Sequence, residues 1–451
     1  MEGLCSIVRK DTKIGIRDLT ETVELEALAQ EMSGLMSRLY PICRSITGNG
    51  LRETLAIIKN YIPLTVNEIP TGTKVFDWTV PKEWNINDAY VKNSKGERVI
   101  DFRKSNLHVM GYSIPVHTKM SLSELKKHLH TLPDHPHWIP YRTSYYKESW
   151  GFCLSHNQFN ELEEDIYEVC INSTLEDGHL TYGEYYLKGN SSKEILISCH
   201  ACHPSLCNDN LSGIILSTLL GRHLNPLSLN YSYRIIFIPA TIGAITWLSQ
   251  NETQVSHIKH GLVAACVGDS GQFTYKRSRI GTAEIDVTVE HVLKHSGNSF
   301  KVVDFSPYGY DERQYCSPGF NLPIGSLQRT THGQYPEYHT SADNCDFVRS
   351  EYLIDSFKMY LSVIYVLENN KKYISKNQKC EPQLGKRGLY TAVGGDSHTN
   401  LDQMALLWVI NLSDGKHTLL DIAERSGKEF NLIKEAADAL HRCDLLDEFH
   451  G

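Results

Sequence analysis

Two histidines, three residues apart, follow a short apolar run in this chain. Ile195 to Ile197 leads through Ser198 and Cys199 to His200, and His203 comes next. Asn208-Asp209-Asn210 follows, then Ser212-Gly213 and a helical pattern through Ile214, Leu216, Leu219 and Leu220. A buried strand that delivers a His at its end, with an Asp poised before the next helix, can hold a metal ion outside a sheet. Two other readings stay open on spacing alone. One is a buried thiol-rich turn with no metal. The other is a structural zinc site built from Cys199, Cys202 and the two histidines. Adjacent Cys-His pairs on one strand point to opposite faces, which counts against it.

Three further stretches put ligand-type side chains near strand ends. Asp269 lies just past the apolar run that ends in Cys266-Val267. His339 sits in the polar segment Tyr338-His339-Thr340-Ser341-Ala342-Asp343, ahead of a helical pattern. Asp311-Glu312-Arg313 lies in a loop between Tyr310 and Pro318. In open α/β sheets the C-terminal edge of the strands is where ligands bind. Each residue alone has an ordinary explanation, such as a helix cap for the Asp or a solvated loop His. Their coincidence favours a site.

The elements that must position these residues come in three textures. Glu26 to Tyr40 and the run through Leu51, Leu55, Ile58 and Tyr61 have helical spacing, and Leu64 to Ile69 alternates as a strand. Residues 72–178 read as an inserted β-rich domain, with short runs of Val, Tyr, Trp and Thr between turn residues and a helix at Ser121 to Leu132. Its aromatics read mainly as its own core. Tyr145 and Tyr146 are candidates to face a cleft and bind substrate. After Gly178 strands and helices alternate. Strands are expected at Glu184–Leu187, Ile195–Ser198, Tyr233–Ile238, Gly261–Val267 and Ala283–Val289. Helices are expected at Gly213–Leu224, Gly243–Gln250 and Glu351–Glu368. This alternation predicts a mixed, mostly parallel sheet with helices on both faces, built from residues 26–71 and 179–375. Three short helical runs within 385–451 predict a winged helix-turn-helix.

Composition narrows the function classes. The chain has 451 residues, 41% hydrophobic and 22% charged, with a net charge of -8. An acidic balance argues against a general nucleic-acid binder. The segment from Asp402 onward holds ten acidic against five basic residues, the reverse of what a DNA reader needs. The 12 cysteines are scattered and the start of the chain is polar, so free thiols in the cytoplasm are expected. No apolar run approaches the ~20 residues of a membrane span.

His200, Asn-Asp-Asn-x-Ser-Gly around Asp209, Asp269 and Tyr-His-Thr at His339 occur in an order that resembles zinc-dependent aminopeptidases of α/β/α fold. The chain from about Glu26 resembles a narrower bacterial group with an inserted β domain and a C-terminal winged helix. That group is often named as domains of unknown function or as polysaccharide-biosynthesis-associated. The resemblance implies that Asp209 bridges two zinc positions, with His200 and Asp269 completing one and His339 belonging to the other. It implies a hydrolase of an amide or peptide bond that uses metal-activated water as nucleophile. The substrate would be a small peptide or an amide-bearing, sugar-linked molecule. Two departures stand out. Where the peptidases carry two consecutive glutamates, this chain has Ala240-Thr241, so one ion or two is an open count, and Glu337 and Glu312 are the candidate replacement carboxylates. Where they place an Asp two residues after the first His, this chain has Cys202, so His203 or Asn208 is the candidate to orient the imidazole. Arg44, Arg313 and Arg329 are candidates for an anionic part of the substrate, and the inserted domain is a candidate dimer contact. The alternative is a catalytically impaired fold kept as a binding or regulatory module.

Overall fold

The computed structural model describes residues 24–389 and 401–449. The stretch from Met1 to about Thr22, expected as a loose arm, lies outside the described residues. By its contacts the chain forms two compact units, one from residues up to 283 and 299–358, the other from 284–298 and 359 onward.

Two helices open the first unit, α1 (Leu25–Leu39) and α2 (Asn49–Ile58). The first buries Leu28, Met32, Leu35, Met36 and Leu39, the stripe that a 3.6-residue period puts on one face. β1 (Thr65–Pro70) follows. The inserted segment then builds its own antiparallel sheet from β2 (Glu83–Lys92), β3 (Arg98–Asp101), β4 (Val116–Ser121) and β5 (Ile166–Glu176), in the order β3-β2-β5-β4. Tyr167, Val169, Ile171 and Ser173 alternate inward along β5, as a half-buried sheet requires. Trp84 lies at its core, donates its indole N–H to the Ser113 carbonyl at 2.9 Å and stacks on Tyr112. The insert's aromatics were expected to be mainly its own core; Trp84, Tyr112 and Tyr167 instead share one apolar cluster with Leu180, Ile236 and Trp247 of the large sheet and its helices. The helix expected at Ser121 to Leu132 shrinks to one turn, Leu122–Leu125, and a 3-10 turn.

The chain then returns as β6 (His179–Leu187), β7 (Glu194–His200), α3 (Ser212–Leu224), β8 (Ser232–Ile238), α4 (Ile242–Gln250), β9 (Ile258–Ala264), β10 (Phe273–Lys276), α5 (Glu284–His295), β11 (Phe300–Val303), β12 (Ile324–Gln328) and α6 (Ser350–Asn369). The eight-stranded sheet runs β1-β6-β8-β7-β9-β12-β10-β11. Its centre, β8-β7-β9-β12, is parallel, and β1, β6 and the β12-β10 pair supply the antiparallel joins. Every residue of β7 and β8 is buried, because helices cover both faces, and so these strands read as continuous apolar runs. The sheet is the mixed, mostly parallel α/β/α arrangement expected.

One expected element is of the other type. Ala283–Val289 was to be a strand, and Glu284–His295 is a helix. Ile285, Val287 and Val289 alternate, but the apolar residues that bury are Ile285, Val289, Val292 and Leu293, a helical stripe. α5 belongs to the second unit. There His291 Nδ1 meets Glu424 at 2.6 Å and its Nε2 accepts the Phe430 N–H at 3.0 Å.

The rest of that unit is the winged helix. β13 (Lys372–Ser375), α7 (Gln403–Leu412), β14 (Asp414–Thr418), α8 (Leu419–Ser426), α9 (Phe430–Arg442) and β15 (Leu446–Glu448) give three helices and a sheet ordered β14-β13-β15. Local chemistry sets the turns. Thr418 and Asp421 form a capping box at the start of α8, and Gly427 takes φ 68° just past its end.

Candidate metal centre

β7 and β8 lie side by side in parallel, with His200 opposite Ile238. The chain leaves both strands at the same edge. Ala201 donates its N–H to the Ile238 carbonyl at 2.8 Å, and Ala240 follows two residues later. The stretch from Cys207 to Leu211 is an irregular, fully buried turn before α3. It presents the Asp209 carboxylate, also fully buried, toward the end of β7.

Three imidazoles converge on that carboxylate. His200 Nε2 lies 2.8 Å from Oδ1, His339 Nε2 2.9 Å from Oδ2, and His203 Nδ1 3.4 Å from Oδ2. His200, His203 and Asp209 bring ligand atoms within 4.8 Å of one another. Ligand atoms about 2 Å from a zinc ion in tetrahedral array stand roughly 3.3 Å apart, so the spacing suits a small ion. Burial pushes the Asp209 carboxyl up, but the charges of His203 and His200 outweigh it and hold it well below the usual carboxylate range. Burial lowers the pKa of His339, against the pull of Asp209, which favours the neutral imidazole that a metal needs.

The surroundings fix these side chains. Asn210 Nδ2 reaches His200 Nδ1 at 3.2 Å and the carbonyls of His200 and Ala264 at 3.1 Å. Asp343 accepts the backbone N–H of Asn208 at 2.5 Å and of Asp209 at 3.0 Å. Arg44, buried, points its guanidinium at backbone carbonyls: His203 at 2.7 Å, Pro204 at 2.8 Å and Leu39 at 2.7 Å. Aromatic rings pack around the imidazoles. Tyr310 stacks on His200, Tyr338 stacks on His339, and Tyr141 meets His203 and His339 edge-on.

The inserted domain completes the centre. His339 has φ 57°, a left-handed conformation that costs a side-chain residue about 1 kcal/mol. A strap from the insert holds it there. Tyr141 donates its N–H to the His339 carbonyl at 2.8 Å, Ser341 donates its N–H to the Ile139 carbonyl at 2.8 Å, and the Ile139 N–H reaches Ser341 Oγ at 2.9 Å.

The structure therefore brings together His200, Asp209 and His339 and leaves Asp269 outside the group. Asp269 Oδ1 accepts from Thr330 Oγ1 at 2.6 Å and from the Gly271 N–H at 2.7 Å, and Oδ2 accepts from Asn208 Nδ2 at 2.9 Å. Asn208 thus ties Asp269 to the ligand turn rather than orienting an imidazole. Glu312 is buried and paired with Lys276 Nζ at 2.8 Å. Glu337 is half-buried in the His339 loop, where its carbonyl accepts from Thr340. Arg329 is committed to the Gly271 carbonyl, Asp355 and the ring of Phe273, and Arg44 to its three carbonyls, so neither is placed to bind an anion. Arg313 is half-buried, and its Nε has no hydrogen-bond partner among the described residues. Tyr145 reaches the site through its 2.7 Å bond to the Tyr141 hydroxyl, and Tyr146 is exposed beside Trp78. Sequence reasoning missed Asn210, Tyr141 and Tyr310. The Asn-Asp-Asn triplet was the one available signal, since its outer members flank the ligand.

Comparison with known proteins places the fold. Residues 33–370 match the family described as domain of unknown function DUF4910. The chain belongs to the DUF4910 family. Residues 371–448 of this DUF4910 chain match a winged helix-turn-helix family. A Clostridium acetobutylicum protein, named provisionally as a polysaccharide biosynthesis protein with an aminopeptidase-like domain, is 59% identical over 416 residues, 92% of this chain and 96% of its own. A crystal structure of a C. acetobutylicum protein, named provisionally as a peptidase, is 55% identical with a TM-score of 0.91, covering 96% of this chain and all of that one. A Bacillus subtilis zinc aminopeptidase shares the fold, with a TM-score of 0.55 at 10% identity over 76% of this chain and 95% of that one. The DUF4910 chain thus has a zinc-aminopeptidase-like fold with a C-terminal winged helix.

Proposed function

We propose that this DUF4910 chain is a metal-dependent hydrolase of amide or peptide bonds, with zinc as its ion. The observation that carries the reading is the convergence of His200, His203 and His339 on the buried Asp209 carboxylate. A carboxylate buried among imidazoles, with its backbone pinned by Asp343, is a donor set suited to zinc. His200, His203 and Asp209 have ligand atoms close enough to share the ion, and His339 would complete the set from the other oxygen of the carboxylate. The chemistry supplied by zinc, when bound, is Lewis acidity toward an amide carbonyl and a water molecule. The chain itself favours an ionised Asp209 and a neutral His339, and the rings of Tyr310, Tyr338 and Tyr141 pack against the imidazoles. The substrate in this reading is a small peptide or an amide on a modified sugar, which the name of the C. acetobutylicum relative also suggests. The setting is the cytoplasm; no helix among the described residues is long and apolar enough to cross a membrane.

One feature favours a second reading. Ala240 follows β8 with its carbonyl 4.0 Å from the Cys202 thiol, and the peptidases that the chain resembles carry a glutamate at that place in the sequence. A chain that binds a metal without that base would act as a binding or regulatory module.

Elemental analysis of protein purified without chelator, beside His200→Ala, tests for the ion, and hydrolysis of aminoacyl amides by the zinc-loaded chain separates the two readings. The expected result is about one zinc per chain, lost in the variant. No metal in either protein, even after zinc is supplied, would sink the hydrolase reading.

A further inference from the structure

A cleft of about 410 Å³ opens beside the metal centre on one face of the sheet. Three strands build its floor. Thr274 on β10 lies opposite Lys301 on β11 and opposite Gln328 on β12, so the three side chains form a polar row across the sheet. Phe273 and Tyr275 alternate to the other face and are buried there. Thr330, Thr331 and His332, which follow β12, form the wall.

This wall adjoins the candidate ligands. The His332 ring lies 5.2 Å from that of Tyr310, which stacks on His200. Thr330 Oγ1 is the hydroxyl that holds Asp269. A molecule in the cleft would therefore sit next to the metal centre without occupying it.

The lining specifies a chemistry. Gln328 is 2% exposed, and its Oε1 has no hydrogen-bond partner among the described residues. Thr331 Oγ1 and His332 Nδ1, on half-buried side chains, also have no hydrogen-bond partner among the described residues. Native structures satisfy nearly all such atoms, so the Gln328 acceptor at the cleft floor points to a ligand that brings hydrogen-bonding groups, and Thr331 and His332 in the wall add to it. Charge is balanced. The Lys276 ammonium is taken by Glu312 and by the Tyr308 carbonyl at 2.9 Å. At the rim, exposed Lys301 stands with Asp304, which pairs with Arg277. The Tyr308 ring, 73% exposed and 5.4 Å from His332, adds a flat apolar surface at the mouth. The volume is in the range of small-molecule sites.

We infer that this cleft is the subsite for a neutral, polyhydroxylated group, a sugar ring carried by the substrate. Hydroxyls both donate and accept, so they match an amide oxygen, a threonine hydroxyl and an imidazole nitrogen together, where a hydrocarbon side chain would leave all three unsatisfied. The assignment rests on the hydrolase reading only for the word substrate; the binding it requires does not depend on the metal.

The test is saturation-transfer NMR on the full-length chain with N-acetyl-D-glucosamine as probe and L-leucinamide as comparator. The expected result is transfer to the sugar, with affinity weakened about tenfold in both Gln328→Leu and Thr331→Val. His200→Ala should keep sugar binding while losing zinc, which separates this inference from the metal reading. No transfer to the sugar in the wild-type chain, equal transfer in the wild type and both variants, or weakening confined to L-leucinamide would each overturn it. Unchanged melting temperatures would show that the two variants remain folded.

Discussion

At the residue scale, a methyl group at position 240 faces a question that mutation can answer. Ala240→Glu restores a carboxylate next to the His200-Cys202 turn. As a general base it should raise hydrolysis of aminoacyl amides by about 10²–10⁴-fold at unchanged zinc content. An unchanged rate would count against the hydrolase reading. Asp311 makes a second test. It is fully buried, neither carboxylate oxygen has a partner among the described residues, and burial with help from Glu312 raises its pKa to about 7. A folded-state value above the ordinary 3.8 means that the native state binds the proton more tightly, so stability falls as pH rises from about 4 to about 7. Asp311→Asn removes the charge. Urea titrations should show no gain below pH 4 and a gain of about 2–4 kcal/mol at pH 8. His200, Asp209 and His339 were legible because each stands at a strand end or in a loop that returns to one sheet edge. The surroundings of Asp269 were not, because Asn208 and Thr330 reach it from 61 residues away on either side. Nor can a sequence say that an arginine's partners are carbonyls, as they are for Arg44.

At the scale of elements, Arg44 joins the end of α1 to the loop after β7. It serves three carbonyls with one planar fork, at 2% exposure. Arg44→Lys keeps the charge but cannot match that geometry. It should lower stability by about 2–3 kcal/mol, read as a lower urea midpoint at unchanged slope, since buried carbonyls lose their donors. A changed slope would instead point to a broader loss of structure. The central elements were readable because β7, β8 and α3 carry strong apolar patterns. α5 was misread because alternation over Ile285 to Val289 fits two periods, and only the later Val292 and Leu293 decide for the helix. The helix expected at Ser121 ended early because the chain turns back at Leu129 to pair His130 and Leu129 with Cys153 and Phe152, a contact between distant segments.

At the scale of the whole molecule, the acidic C-terminal segment leads to a prediction about partners. The winged helix carries ten acidic and five basic residues from Asp402 onward. Full-length protein should give no anisotropy change with a labelled random DNA duplex at physiological salt, because phosphate neutralisation needs a basic face. Salt-sensitive binding would move the module to a DNA-reading role.

The strap between the insert and the His339 loop has a consequence for how the chain becomes active during synthesis. Ile139 and Ser341 are 202 residues apart. A ribosome making about 5–20 residues per second exposes the first some tens of seconds at the slow end, or about ten at the fast end, before the second. The insert and the β7 turn can fold in that interval, but His339 cannot take its place until β12 and the loop after it have emerged. Competence to bind metal is therefore a late event, reached only when most of the chain is already made. An ion arriving earlier meets His200, His203 and Asp209 without their fourth partner.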